Sequence, residues 1–453
     1  MSFPPPETYP FTFSSAPPAG MYLAPVLEHP SWSSESETKP NVKDSVEDES
    51  RYTEDGLLPI LLGQLFQNER YQVIHKLGIG GEATVWAVHD RHRPGYAAMK
   101  VLSASATARS QDIQILERLR RGPDHPGAQF ICHVFDHFFV DGPLGRHLCL
   151  MSPLLGPRVL DALDGLAPDR SNQAFWDLTR KLMKQTVQGL AFLHSRSVIH
   201  GGNIPRTLLS TTTDLLDFTP FNILVVMRGL NHLSLDQLYN EVIGTPHKVR
   251  VSSQDARMPE YLVARARFRK DIVPFMEKEI RIIDFGLAYF ADQAVAIWGT
   301  PANYAAPELM VLELPSMRAD LWALSCTVFE ICFDFILFDG DTMSEVLANI
   351  IKIFGIIPGS LCGARGNIKL LEMCPEIVAR VGRGEPVQEE SFESIVYLQF
   401  PIGFTRENVH EHTSSRGPDL VDFLRQGLNY VANSRTPAAR LVSHPWLNPV
   451  GGN

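Results

Sequence analysis

Between Tyr71 and Gly156 apolar residues recur at nearly every second position, and beyond Gly156 they recur at every third or fourth. A period of two belongs to strands and a period near 3.6 to helices, so the chain must place a sheet segment ahead of a helical one. YQVIHKLGIGGEATVWAVHD and YAAMKVL, separated by a turn at Pro94-Gly95, read as hairpin strands. SQDIQILERLR has helical spacing, and HLCLMSPLL is a short strand-like run. Downstream, Phe175, Leu178, Leu182, Leu190 and Leu193 share one helical face, and ADLWALSCTVFEICF and MSEVLANIIKIFG are apolar helices. Two short strands, NILVVM and IRIIDFG, interrupt this half. The stretch between them, 228–279, is too long for an ordinary loop and predicts an insertion with its own role or mobility.

Composition narrows the class. With 453 residues and 44% hydrophobic content the chain can bury a large core. Its net charge of −10 disfavours nucleic-acid and anionic-membrane binding and suits a basic partner, although most acidic surpluses are only solvated surface. Six cysteines without C-x-x-C spacing argue against a zinc site or a disulfide framework, and fit a reducing compartment, cytoplasmic or nuclear. There is no run of eighteen apolar residues and no leader pattern, so a soluble monomer away from membranes is expected. Residues 1–55 are rich in Pro, Ser and Glu and are expected to form a disordered tail.

The chemistry-bearing residues fall in a definite order. Leu77-Gly78-Ile79-Gly80-Gly81-Glu82-Ala83-Thr84-Val85 lies between two strand patterns, and glycines at 78 and 80 would let backbone N–H groups approach phosphate oxygens. A glycine turn in a hairpin is the commoner explanation of such a string on its own. Lys100, ending the next strand after Ala97-Ala98-Met99, alters the balance, because a lysine inside an apolar strand needs an anionic partner and nucleotide phosphates provide one. Asp284-Phe285-Gly286 puts a carboxylate at a strand end, where it can bind Mg²⁺. Gly299-Thr300-Pro301-Ala302-Asn303-Tyr304-Ala305-Ala306-Pro307-Glu308 follows, then Asp320-Leu321-Trp322, and Arg440 within TPAARLVSHPWL.

In this order the motifs resemble the eukaryotic protein-kinase family across residues 56–449. The resemblance implies an α+β, bilobal kinase-like fold, with a small β-rich lobe over 71–155 carrying one main helix and a larger, mostly helical lobe over 156–449. It also implies ATP and Mg²⁺ as cofactors, with Leu77, Gly78, Gly80, Val85, Ala98, Lys100 and Leu155 around the nucleotide. Ser152 would be the gatekeeper. Asp112 would be the acidic partner of Lys100, one methylene shorter than the usual glutamate, with Glu117 a weaker substitute. Glu308 and Arg440 would form a buried ion pair, and Asp320 would brace the catalytic loop.

The family's catalytic loop has the form His-x-Asp-x-x-x-x-Asn. Read straight on from His200, it has Gly202 in place of the base and Thr207 in place of the metal ligand, and fails. Omitting the fifteen residues 202–216 joins His200-Gly201 to Asp217-Phe218-Thr219-Pro220-Phe221-Asn222 and completes it. Asp217 would then accept the substrate hydroxyl proton and Asn222 would hold the second Mg²⁺. Gly202-Asn203 can be encoded GGT-AAC, Thr213-Asp214 ACT-GAC, and Leu216 TTA before GAT, which together supply a splice donor, branch site and acceptor. The segment therefore reads as a retained intron or gene-model error, against a genuine insertion that abolishes activity. In the repaired loop Gly201 replaces arginine, which predicts activity independent of activation-loop phosphorylation. Thr219 replaces the lysine that normally contacts the γ-phosphate.

Leu62-Gly63-Gln64-Leu65-Phe66 ahead of RYQVIHKLGIGGEATVW, with Trp86 after the glycine-loop valine, looks like the entry to SR-protein kinases, in particular divergent fungal members. HLCLMSPLLG, the 228–279 spacer and LFDGDTMSEVLANIIKIFGIIP resemble the same group. Such kinases phosphorylate serine in Arg/Ser-rich proteins. The acidic run Glu385 to Glu393 reads first as a solvated charge run and second as a docking element. Two other classes stand beside this one. Small-molecule phosphotransferases of the aminoglycoside and choline kinase type use a His-Gly-Asp loop but lack the Gly-Thr-Pro to Pro-Glu segment; a pseudokinase scaffold becomes the leading reading if 202–216 is translated.

Overall fold

The structure is a computed structural model that describes residues 45–201, 219–253, 255, 257–293, 302–310, 316–358, 366, 368–399 and 416–449. It divides into two compact units, one comprising 1–110, 132–156 and 227–276 and the other 111–131, 157–226 and 277–453.

The first unit is built on one antiparallel sheet of six strands: β1 (Leu65–Phe66), β2 (Tyr71–Ile79), β3 (Ala83–Asp90), β4 (Tyr96–Leu102), β5 (Asp136–Gly142) and β6 (Gly145–Pro153), in the order β1-β2-β3-β4-β6-β5. The alternation seen from Tyr71 onward becomes an inward face of Tyr71, Val73, Trp86, Val88, Met99, Val101, Cys149 and Met151. The short helix α1 (Ala104–Arg109) starts at Ser103, whose hydroxyl accepts from Ala106 N–H at 3.1 Å.

Two segments expected elsewhere complete this unit. The predicted tail ends earlier than residue 55: Ser45, Glu47 and Tyr52 are buried, while residues 1–44 lie outside the described residues. The spacer, expected to belong with the helical half, clusters with the sheet over Met227–Met276. It contributes a turn of helix, α5 (Leu235–Gln237), and a hairpin of β9 (Lys248–Arg250) and β10 (Tyr261–Val263). Val263 joins the sheet's core at 0% exposure, and Leu262 packs with Tyr52, Leu57 and Leu144. Burying one such side chain is worth about 1.5–3 kcal/mol, so apolar contact explains why this stretch is not a free loop. Tyr239 Oη donates to Ile74 O at 2.9 Å, and Tyr261 Oη accepts from Leu62 N at 3.1 Å.

The second unit is helical. It opens with α2 (Asp112–Arg120) and α3 (Val159–Leu166) and is centred on α4 (Gln173–Ser195), whose cap is the Asn172 side chain accepting from Ala174 N–H. The predicted apolar face of α4 is buried throughout. α7 (Met317–Phe333), preceded by the single turn α6 (Pro307–Met310), is buried on almost every side, since its apolar residues lie all round the helix. α8 (Met343–Phe354) begins with a Thr342–Glu345 capping box and stops at Gly355, where φ is +82°. β7 (Val198–Ile199) pairs with β12 (Tyr289–Phe290), and β8 (Ile223–Met227) with β11 (Met276–Ile282). No described helix is long and apolar enough to cross a membrane.

Candidate active site

In the first unit the glycine turn joins β2 to β3. Gly80 N–H donates to Ala83 O at 2.9 Å, and a register shift lies between Lys76 and Gly78. Gly78 and Gly80 both have ordinary negative-side backbone angles, and a Cβ placed on either would meet its nearest neighbour only at 3.8 Å. The fold therefore has room for a side chain at each position. Lys100 stands in β4, opposite Val85 on β3 and Leu150 on β6. Ala98, beside Ala87 and Ser152 in the ladder, is buried, as is Leu155 just beyond β6.

In the second unit a cluster forms around the end of β11. Asp284 holds a left-handed backbone conformation, φ +63°, and its Oδ1 accepts from Gly286 N–H at 3.1 Å. Aspartate tolerates this region better than most side chains, and such outliers gather at functional sites. Ile283 N–H donates to the carbonyl of Asn222 at 2.9 Å, so the backbone of Asn222 lies beside that of the residue preceding Asp284. His200 donates from Nε2 to Ile283 O at 3.1 Å and meets the Phe285 ring edge-on at 5.5 Å. Burial pushes the His200 imidazole below its ordinary value, against the raising effect of Asp320.

Asp320, on α7, receives three donors. His200 N–H reaches Oδ2 at 3.0 Å, Gly201 N–H reaches Oδ1 at 3.0 Å, and His194 Nε2 lies 2.9 Å from Oδ2. The carboxylate thus ties the end of α4 and the segment after β7 to α7. Asp217 and residues 202–216 lie outside the described residues, as does Gly299-Thr300-Pro301. Thr219 is fully buried, and its hydroxyl has no hydrogen-bond partner among the described residues.

The partner expected for Glu308 is corrected. Glu308 is held by Arg435, whose Nη1 and Nη2 each lie 2.6 Å from a carboxylate oxygen, with the arginine side chain fully buried and its guanidinium 5.3 Å over the Trp322 ring. Arg440 is exposed on the turn Ala438–Leu441, which buries Ala438 and Leu441 and so turns Arg440 outward.

A family model described as protein kinase domain matches residues 271–447. A serine/threonine protein kinase of Aspergillus fumigatus is 26% identical over 409 residues, spanning 86% of this chain and 87% of that protein. Serine/threonine-protein kinase SRPK of Physarum polycephalum is 24% identical over 88% of this chain and 90% of its own length, and protein kinase dsk1 of Schizosaccharomyces pombe is 29% identical over 37% and 31%. The chain is thus similar over most of its length to serine/threonine protein kinases, and its residues 271–447 match a protein kinase domain.

Asp112 is the first residue of α2 and is buried, and it falls in the second unit while Lys100 falls in the first. Glu117 is paired with Arg121 on the surface. The acidic run is met by cations of the same chain, Glu385 by Arg383, Glu389 by Arg380 and Glu393 by Arg425, which supports the solvated-charge reading. Of the residues the sequence did not single out, Arg435 had a usable signal, since it stands directly before Thr436-Pro437 at the end of a polar turn. His194 had none, because nothing local announces a partner 126 residues away.

Proposed function

We propose that this kinase transfers the γ-phosphoryl group of ATP to serine and threonine hydroxyls of proteins, favouring substrates with basic Arg/Ser-rich segments, in the form that lacks residues 202–216. The observation that carries the reading is the bond from Ile283 N–H to Asn222 O, which holds Asn222 one strand away from Asp284. Magnesium, when bound, bridges and neutralises phosphate oxygens. Asn222 and Asp284 are the oxygen donors that would hold it. Among the described residues no cluster of three or more His, Cys, Asp or Glu exists, and a two-residue site suits an ion whose other oxygens come from water and phosphate. Lys100 would meet nucleotide phosphates, Leu77, Val85, Ala98 and Leu155 the base, and Asp217 would accept the hydroxyl proton. The net charge of −10 favours encounter with basic substrates. Action in the cytoplasm or nucleus accords with the burial of the five described cysteines.

For the chain with 202–216 present, a second reading is favoured by Thr219. Buried as it is, its hydroxyl is not offered to a phosphate, and fifteen extra residues stand between His200-Gly201 and Asp217. That form would be a scaffold that keeps the fold without transfer.

The deciding experiment is phosphotransfer from radiolabelled ATP to an Arg/Ser-repeat peptide, run on the 453-residue chain and on the chain shortened by 202–216. Transfer by the shortened chain alone, abolished by Asp217→Asn or Asp284→Asn, is expected. A folded shortened chain that transfers nothing overturns the enzyme reading.

A further inference from the structure

The glycine turn is gripped from a segment that no motif announced. Arg51 Nη2 lies 2.6 Å from the carbonyl oxygens of both Gly80 and Gly81. In a trans peptide the N–H points opposite to the preceding carbonyl. Holding the carbonyls of Gly80 and Gly81 toward one guanidinium therefore aims the N–H groups of Gly81 and Glu82 the other way. Two successive N–H groups fixed in this sense make a concavity suited to an anion. The Glu82 side chain is drawn aside by Arg109.

Arg51 is itself held on both sides. It ends the 3-10 turn Glu49–Arg51, where the Asp48 side chain accepts from Ser50 N–H at 2.8 Å and Leu57 N–H donates to Arg51 O at 3.0 Å. The Glu49 carboxylate accepts from Ser252 N–H, Ser252 Oγ and Ser253 N–H in the spacer. Next to Arg51, Tyr52 donates to Glu47, which binds Lys76 on β2, the strand that leads into the turn. Among the described residues the guanidinium forms no ion pair, and its charge, after the hydrogen bonds from Ser50, helps to lower the nearby Asp48 carboxyl.

We propose that Arg51 is a positioning residue for nucleotide phosphates: by fixing the Gly80 and Gly81 carbonyls it sets the direction of the next two N–H groups and adds a positive charge to the turn. The inference rests on the nucleotide reading of that turn. Its range is phosphate-specific, since neither effect bears on the base or the ribose.

The test uses the full chain, with Arg51→Ala, Arg51→Gln and Arg51→Lys, and measures binding of magnesium ATP and of adenosine together with the thermal unfolding midpoint. Arg51→Ala and Arg51→Gln are expected to weaken ATP binding about tenfold, the scale of one charge-assisted contact, with adenosine binding unchanged. Arg51→Lys is expected to recover part of the loss, since an ammonium restores the charge but not the planar fork. Equal loss for ATP and adenosine would make Arg51 merely structural and overturn the proposal, as would unchanged ATP affinity. A parent chain that binds adenosine and ATP equally would overturn the nucleotide reading of the turn as well, which separates the two failures.

Discussion

The ammonium of Lys76 lies 2.5 and 2.6 Å from the two carboxylate oxygens of Glu47, with side-chain exposures of 1% and 0%, and 4.7 Å over the ring of Trp86. A strand residue and a residue from the segment ahead of the sheet thus neutralise each other in the core of the first unit. Burial pushes the Lys76 ammonium down, opposed by Glu47.

Removing one partner of such a pair strands a buried charge. Glu47→Ala should cost about 3–5 kcal/mol in chemical denaturation, and the double variant Glu47→Leu/Lys76→Met should recover most of it. A loss below about 1 kcal/mol would show that the pair is solvated.

Glu308 and Arg435 make the second buried pair, and Arg440 provides its internal comparison. Arg435→Ala is expected to lower stability by about 3–5 kcal/mol. Arg440→Ala, at an exposed position, should stay within about 0.5 kcal/mol of the parent. The reverse ranking in unfolding midpoints would return Glu308 to Arg440.

Asp320→Ala removes the acceptor of two backbone N–H groups and of His194. Each buried donor left unmade costs about 1–3 kcal/mol, and the shortened chain should lose transfer while its ATP affinity stays within about twofold, because the defect lies in the loop and not in nucleotide contacts. Parallel measurement of rate and affinity checks this, and unimpaired transfer would contradict a bracing role.

Acid sensitivity should trace in part to His75. Burial pushes its imidazole from 6.5 down to about 4. The unfolded chain therefore takes up a proton near pH 6.5 that the folded chain refuses until about pH 4. Stability linked to this group is complete above pH 6.5 and is lost as pH falls from there toward 4. His147 and His200 act in the same direction. The unfolding midpoint should drop across this window, less steeply for His75→Gln. Identical slopes for the two proteins would remove His75 from the account.

The elements that position the site were legible locally. The hairpin around Gly78 and Gly80, the strand carrying Lys100, the Asp284 turn and the buried α7 all follow from apolar period, glycine placement and caps, which act over a few residues. What the pattern misjudged lies in contacts of long sequence separation. Residues 45–55 have the composition of a tail, yet Tyr52 and Val46 find an apolar surface that includes Leu262 of the spacer. That surface exists only after both segments have folded, so composition could not show it.

The order of motifs, the two periodicities and the interruption at 202–216 are properties of the chain alone, because each is written in neighbouring residues. Which arginine meets Glu308, which segment carries the partner of Lys76, and which guanidinium holds the glycine turn were decided by the tertiary structure. Electrostatic and hydrogen-bond partners are chosen by distance and direction in space, and residues 29, 30 or 127 positions apart have neither until the backbone has been placed.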